Sequence, residues 1–146
     1  MHRLVDSNVW VALAITDHIF HRLARDWFYA LPLANRAVFC RSTQQTFLRL
    51  LSTPTIFQPY ALPAPSNQQA WATYEQWSSE GRVSFVEEPP GLDAQWQILS
   101  ARPTSSPKLW MDSYLAAFAI AGGYQLVTLD AGFRQFAGLD LVVLGA

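Results

Sequence analysis

The stretch LVDSNVWVAL (residues 4–13) decides the fold. Apolar residues before Asp6 predict a short buried strand, and the apolar run after Asn8 predicts a helix. Asp6 therefore lies where a strand ends and a helix begins. A carboxylate at that place is a turn former, a helix cap or a ligand, and the rest of the chain has to decide between these roles.

The bulk composition predicts one compact globular domain covering residues 1–146. The chain is 51% hydrophobic and 14% charged, with a formal net charge of −1. The chain has no excess of basic residues that would attract nucleic acid, so binding of such a ligand requires a local basic face or bridging metal ions. Cys40 is the single cysteine, which rules out a disulfide framework. We find no signal-peptide pattern or membrane span, and expect a soluble, cytoplasmic protein without a membrane partner.

Strand and helix patterns alternate along the chain. Apolar runs predict strands at 3–6, 37–40, 83–87, 125–130 and 139–145, and helical spacing predicts helices at 8–15, 17–31, 42–51, 66–81, 91–101 and 111–123. The stretch 52–65 contains four prolines and is predicted to be a loop, as is 102–108, while 131–136 is predicted to be a short turn or helix. The order predicts an α/β fold with a mostly parallel sheet.

Three aspartates fall at the same edge of that sheet. Asp6 and Asp130 end strands, and Asp112 opens the helix that leads back into the strand ending at Asp130. In a parallel sheet the carboxyl ends of strands and the starts of the crossover helices share one edge. Taken singly, each aspartate is explained as a cap or a turn residue. Taken together, close carboxylates repel unless a cation lies between them, and their hard oxygens suit Mg²⁺ or Mn²⁺.

The chemistry that follows from such a cluster is hydrolysis at phosphorus. A carboxylate-bound divalent ion activates water and neutralises charge on a phosphoryl oxygen. The chain has no glycine-rich phosphate loop, which disfavours nucleoside triphosphate hydrolysis. Metal-assisted phosphodiester hydrolysis fits better, leaving a 5′-phosphate and a 3′-hydroxyl.

Four sequence blocks resemble PIN-domain ribonucleases, specifically the VapC-type toxins of bacterial toxin–antitoxin pairs. They are LVDSNVWVAL, CRSTQQTFLRLLS (40–52), KLWMDSYLAAFA (108–119) and LVTLDAGFRQF (126–136). The resemblance covers essentially the whole chain. It implies a three-layer α/β/α sandwich and a Mg²⁺- or Mn²⁺-dependent endoribonuclease. It also implies a homodimer and inhibition by a cognate VapB-like antitoxin.

The resemblance also implies roles for individual residues. Asp6, Asp112 and Asp130 match acidic ligands of the family, and Asn8 and Thr128 match small polar positions that orient carboxylates or water. The family's glutamate in the second block is missing. Gln44 or Thr46 takes its place, depending on the alignment, and the neighbouring Gln45 belongs to the same polar set. Glu87 and Glu88, at another strand end, are an alternative source of charge.

Other residues are candidates for substrate contacts. Arg41, Arg134 and Lys108 are placed near the predicted edge, and His18 and His21 lie one helical turn apart. Ordinary solvated charge is the alternative explanation for each of them. Trp10, Trp27 and Trp110 are expected in the core or at an interface rather than as platforms for base stacking.

Three functions remain open on the sequence. The first is the metal-dependent endoribonuclease. The second is a receiver-like regulatory domain that accepts a phosphoryl group, which is disfavoured because no late strand ends in lysine. The third is a catalytically impaired PIN domain that still binds RNA or an antitoxin, because its second acid is missing.

Overall fold

The computed structural model describes residues 1–145, which contain a parallel sheet of five short strands. The strands are β1 (Arg3–Val5), β2 (Ala37–Phe39), β3 (Val83–Phe85), β4 (Gln125–Thr128) and β5 (Leu141–Val143). Their order across the sheet is β3-β2-β1-β4-β5, and every pair is parallel. The central strand β1 pairs with β2 on one side and with β4 on the other, so the chain changes direction across the sheet at β1.

Seven helices surround the sheet. They are α1 (Ser7–Ala14), α2 (His21–Tyr29), α3 (Arg41–Leu51), α4 (Pro54–Phe57), α5 (Asn67–Ser78), α6 (Leu92–Ser100) and α7 (Leu109–Gly122). Short 3-10 helices follow at Gln58–Tyr60 and Ala131–Gln135. The alternation of strands and helices predicted from the sequence is confirmed. No helix among the described residues combines the length and the apolar character needed to cross a bilayer.

Two local predictions are wrong. The predicted loop 52–65 contains α4 and a 3-10 helix, because Pro54 and Pro59 occupy the first or second helical positions, where the missing N–H costs nothing. The helix predicted from residue 17 begins at His21 instead. Residues 15–20 form a turn, in which the His18 N–H donates to the Ile15 carbonyl.

The sheet separates two hydrophobic layers. Alternate residues point to opposite faces, so Val5, Phe39 and Val127 join one cluster and Leu4, Val38 and Leu126 join the other. The first cluster packs the sheet against α1, α2, α3 and α5, and the second packs it against α6 and α7. This is the expected α/β/α sandwich, and it exposes the carboxyl ends of the strands at one edge.

Candidate active site

Asp6 lies at the carboxyl end of the central strand, where β1 leads into α1. Its backbone N–H donates to the Val127 carbonyl at 2.9 Å, which fixes its height against β4. One of its carboxylate oxygens, Oδ2, accepts a hydrogen bond from the Thr128 hydroxyl at 2.7 Å. Although Asp6 occupies the N-cap position of α1, its side chain makes no capping hydrogen bond. The carboxylate is therefore held for a purpose other than starting the helix.

Thr128 connects the polar residues of this edge. Its side chain is fully buried, and its hydroxyl accepts hydrogen bonds from the Asn8 amide at 3.3 Å and from the Asp130 N–H at 3.0 Å. Asn8 in turn accepts a hydrogen bond from the Leu129 N–H at 3.2 Å. One donation and two acceptances use the full capacity of the hydroxyl. Asn8 and Thr128 thus lie together beside Asp6.

The three aspartates lie close enough for their charges to affect the pKa values of Asp6 and Asp112. The pKa of Asp6 is raised chiefly by burial, and the nearby charges of Asp112 and Asp130 raise it further against the hydrogen bond from Thr128. The pKa of Asp112 is also raised, first by burial and then by the charge of Asp130. Because the charges of Asp112 and Asp130 oppose ionisation of Asp6, a cation among the three carboxylates would relieve this repulsion.

The oxygen atoms of the three aspartates are of the type that binds a hard divalent cation. The three side chains, however, do not converge on a common point. Among residues 1–145, no three His, Cys, Asp or Glu side chains converge as the ligands of one ion. Asp130 is exposed, and its Oδ1 atom accepts the Gly132 N–H at 2.8 Å, which caps the following 3-10 helix. The turn contact uses Oδ1 alone, so the Oδ2 atom of Asp130 is the oxygen that is available to a cation.

Comparison with known proteins identifies the family. The model of the PIN domain matches residues 3–139. The chain belongs to the PIN-domain family. It is 43% identical to Ribonuclease VapC41 of Mycobacterium tuberculosis over 97% of both chains, and 31% identical to Ribonuclease VapC44 of the same species over 89% of this chain and 87% of the other. These matches show the VapC branch of the family, and the receiver-like alternative is excluded.

Two solved structures share the fold. The VapBC2 structure from Rickettsia felis, bound to a DNA fragment from its promoter, aligns with a TM-score of 0.71 at 14% identity over 97% of this chain and 98% of that chain. VapC20 of Mycobacterium tuberculosis, a toxin that cleaves the sarcin-ricin loop, aligns with a TM-score of 0.61 at 17% identity over 94% of this chain and 97% of that chain. At these identities the likeness concerns the fold alone.

The PIN-domain site departs from its family at α3, where the structure separates the candidate replacements. Gln44 is buried, its Oε1 atom accepts a hydrogen bond from Arg41 at 2.6 Å, and it lies beside Tyr74 of α5. The Arg41 guanidinium covers the Phe85 ring of β3 at 4.8 Å. Gln44 and Arg41 therefore engage the β3 and α5 side, away from the carboxylates.

A different face of α3 looks toward α7. Ser42 shares a cleft with Trp110 and Met111, in the helical turn that carries Asp112. Gln45 and Thr46 lie three and four residues after Ser42, so they belong to the same helix face. Gln45 is exposed and Thr46 is half-buried. Of the polar set predicted on α3, these two lie on the helix face that carries Ser42.

The predicted histidine contacts lie elsewhere. His21 shares a hydrogen bond of 2.9 Å with the Ala12 carbonyl near the end of α1, and the His18 ring lies 6.2 Å from that of Tyr60. The pKa of His18 is lowered by burial and by His21, without a contribution from the aspartates. Asp6 precedes α1 and the histidines follow it, so the full helix, about 12 Å long, separates them.

Of the predicted cations, Lys108 and Arg134 remain exposed beside the site. Lys108 directly precedes α7, and Arg134 lies in the 3-10 helix after Asp130. Glu87 and Glu88 follow β3 at the edge of the sheet, and Glu88 accepts the Tyr114 hydroxyl at 2.6 Å. Glu88 is thereby engaged with the aromatic side of α7.

The tryptophans divide between core and surface. Trp10 is fully buried and stacks on Phe39 with 3.9 Å between ring centroids, as expected for a core residue, and Trp27 is half-buried. Trp110, in contrast, is 55% exposed. A contact not predicted from the sequence holds this region: the Trp96 indole N–H donates to the buried Ser113 hydroxyl at 3.1 Å. The sequence signal that could have predicted this contact is Ser113, a small polar residue within the largely apolar helix α7.

Proposed function

We propose that Mg²⁺ or Mn²⁺ is the cofactor of this VapC-type ribonuclease, held by Asp6, Asp112 and Asp130. The enzyme is an endoribonuclease, the toxin of a type II toxin–antitoxin pair, and its antagonist is a cognate VapB-like antitoxin. We further propose that residues 1–146 form one PIN domain that acts as a cytoplasmic homodimer. The observation that supports the metal assignment is the Asp6 carboxylate, which Thr128 holds by a hydrogen bond of 2.7 Å and whose pKa is raised by burial first and then by the charges of Asp112 and Asp130.

The residues of this chain have distinct tasks in that proposal. When bound, a divalent cation neutralises charge on the phosphodiester and lowers the pKa of water, so that hydroxide is available at neutral pH. Thr128 orients the Asp6 carboxylate through the 2.7 Å hydrogen bond, and Asn8 fixes Thr128 in turn. Asp112 and Asp130 supply the remaining negative charge. Lys108 and Arg134 attract the phosphates on either side of the scissile bond.

The names of the relatives support the substrate and partner assignments. The similar Mycobacterium tuberculosis proteins are ribonucleases, and the Rickettsia felis structure is a VapBC complex. The formal net charge of the chain is −1, so protein charge alone offers little attraction to RNA. This is consistent with metal cations contributing to the contact with RNA. Which RNA is cut depends on loops and base contacts that carry the specificity.

The decisive experiment is a titration of Mg²⁺ and Mn²⁺ into the wild-type protein and Asp6→Asn, with cleavage of a structured RNA pool followed by end mapping. We expect metal-dependent cuts by the wild type, with 5′-phosphate ends. Asp6→Asn keeps an acceptor for Thr128 but removes a charge, and we expect it to cut at least about 100-fold more slowly. Asp140→Asn is the matched control, because Asp140 is exposed and bonds only Gln125 among the described side chains.

A second measurement reads metal binding without activity. Either ion should raise the Tm of the wild type and of Asp140→Asn, because a ligand of the folded state stabilises it by mass action. The rise should disappear in Asp112→Asn. Binding of RNA or antitoxin without metal-dependent cleavage under any condition would instead favour the impaired PIN module, whose missing glutamate then matters.

A further inference from the structure

Trp110 is an exposed aromatic residue in the helical turn that carries Asp112. Its side chain is 55% exposed, and it lies two residues before Asp112 in α7. At a rise of about 1.5 Å per residue, their backbones are separated by only about 3 Å along the helix axis. Consecutive helical residues point about 100° apart, so the two side chains leave α7 on different faces, and the indole flanks the carboxylate of Asp112.

The indole is the wall shared by three adjoining clefts. The first, of about 270 Å³, lies between α3 and α7 and includes Ser42, Met111 and Tyr114. The second, of about 530 Å³, lies against α6. The third, of about 250 Å³, is formed with residues 100–107, the loop that leads into α7. Trp110 thus borders three clefts between the start of α3 and this loop, which together are called the groove below.

The backbone beneath Trp110 is held in place. The Trp96 indole N–H donates to the Trp110 carbonyl at 3.1 Å and to the Ser113 hydroxyl at 3.1 Å. The two indole rings are nearly perpendicular, with 6.1 Å between their centroids. An exposed aromatic ring on a fixed backbone loses little conformational freedom on binding a flat ligand.

The charges along this groove suit a polyanion. Lys108, the only lysine of the chain, directly precedes α7, and Arg102 lines the third cleft with Trp110. The Arg102 guanidinium donates to Gln135, in the 3-10 helix that follows Asp130. Asp93 lines the second cleft, so the cations lie at the end formed by Arg102 and Lys108, next to the 3-10 helix that follows Asp130. Apolar walls with cations at that end match bases linked by phosphates.

We propose that Trp110 stacks on an unpaired base next to the scissile phosphate and that its groove holds a single-stranded segment of the RNA. This inference rests on the proposed function and adds a substrate-binding residue to it. It replaces the expectation that Trp110 serves the core or a protein interface. Stacking on an aromatic ring tolerates any base, so Trp110 selects unpaired over paired RNA rather than one sequence.

The test compares two oligoribonucleotides of equal length, one with bases and one with an abasic sugar-phosphate backbone. Their Kd values are measured by fluorescence anisotropy in EDTA, which prevents cleavage. We expect the wild type to bind the base-containing strand roughly tenfold more tightly, and Trp110→Ala to lose most of that preference. Trp110→Phe should retain it. Trp71→Ala is the matched control, because Trp71 is 49% exposed in a separate cleft between α3 and α5.

Steady-state cleavage of single-stranded RNA separates this inference from the proposed function. In Trp110→Ala we expect KM to rise roughly tenfold, with kcat at saturating RNA nearly unchanged. If no protein cleaves but Trp110→Ala loses the base preference, the nuclease proposal fails and the groove assignment stands. An unchanged base preference in Trp110→Ala overturns the groove assignment. A loss of dimer mass or antitoxin binding in that variant, with the preference intact, assigns Trp110 to a protein interface.

Discussion

The two halves of the candidate site are built in opposite ways. Where β1 and β4 end, Asp6, Asn8 and Thr128 form a closed set of hydrogen bonds, and a carboxylate is held with its charge directed at two others. At the start of α3, where the resemblance to the family implies a glutamate, Gln44 is turned to Arg41. In the first half, burial and then repulsion from Asp112 and Asp130 raise the pKa of Asp6, whereas the polar groups of the second half are neutral or paired with Arg41. If the proposed metal site is right, this difference places the metal affinity at the Asp6 side.

Among the variants that test this difference, we expect the largest loss of RNA cleavage from Thr128→Val, which keeps the shape of the side chain but removes the hydroxyl. Asp6 then loses its 2.7 Å donor, and the Asp130 N–H loses its acceptor. We expect cleavage to fall about 10- to 100-fold, with more metal needed for half-maximal rate, as for groups that orient metal ligands. Metal titrations of cleavage measure this. Thr128→Ser should recover most of the activity, and equal losses in both variants would contradict the orienting role.

A smaller effect is expected from returning the missing charge to α3. Thr46→Glu places a carboxylate on the helix face that meets α7, and we expect the metal concentration for half-maximal cleavage to fall by roughly threefold to tenfold, because ligand charge sets affinity. Gln44→Glu adds the same charge on the Arg41 face and serves as the matched control, with no such shift expected. A shift in Gln44→Glu alone would mean that Gln44, rather than Thr46, faces the ion.

The two halves also differ in how well the sequence predicts them. Strand direction alone placed Asp6, Asp112 and Asp130 at one edge, because that inference needs only the parallel order of the strands. On α3, consecutive residues point about 100° apart, so an alignment uncertain by two residues could not choose between Gln44 and Thr46. The helix predicted at 8–15 agrees with α1, but the next helix was predicted from residue 17, and the turn at 15–20 instead leaves His18 and His21 at the end of α1 that is far from Asp6.

The smallest expected effect is on the stability of the metal-free protein. The pKa of Asp6 is raised above its ordinary value, so the folded state holds this proton more tightly than the unfolded state. Stability is therefore lost as pH rises from the unfolded pKa through the folded one. In EDTA at neutral pH, we expect Asp6→Asn to have a somewhat higher Tm than the wild type.

Thermal unfolding at a series of pH values checks this expectation. The advantage of Asp6→Asn should shrink below about pH 4, where the wild-type carboxyl is protonated in both states. Asp140→Asn should follow the wild type throughout. An advantage that is absent at neutral pH would mean that the three carboxylates cost the fold nothing, and the first half of the site would not store the repulsion described above.

The pairing of β1 with β4 has a consequence for the timing of activity during synthesis. Asp6 is made 122 positions before Thr128, yet its backbone bonds Val127 and its carboxylate bonds Thr128. Contacts of such sequence separation form late and slowly. A nascent chain still short of residue 128 has the Asp6 carboxylate without the strand that orients it. A ribosome translating this chain therefore carries no finished candidate site until residue 128 has been added.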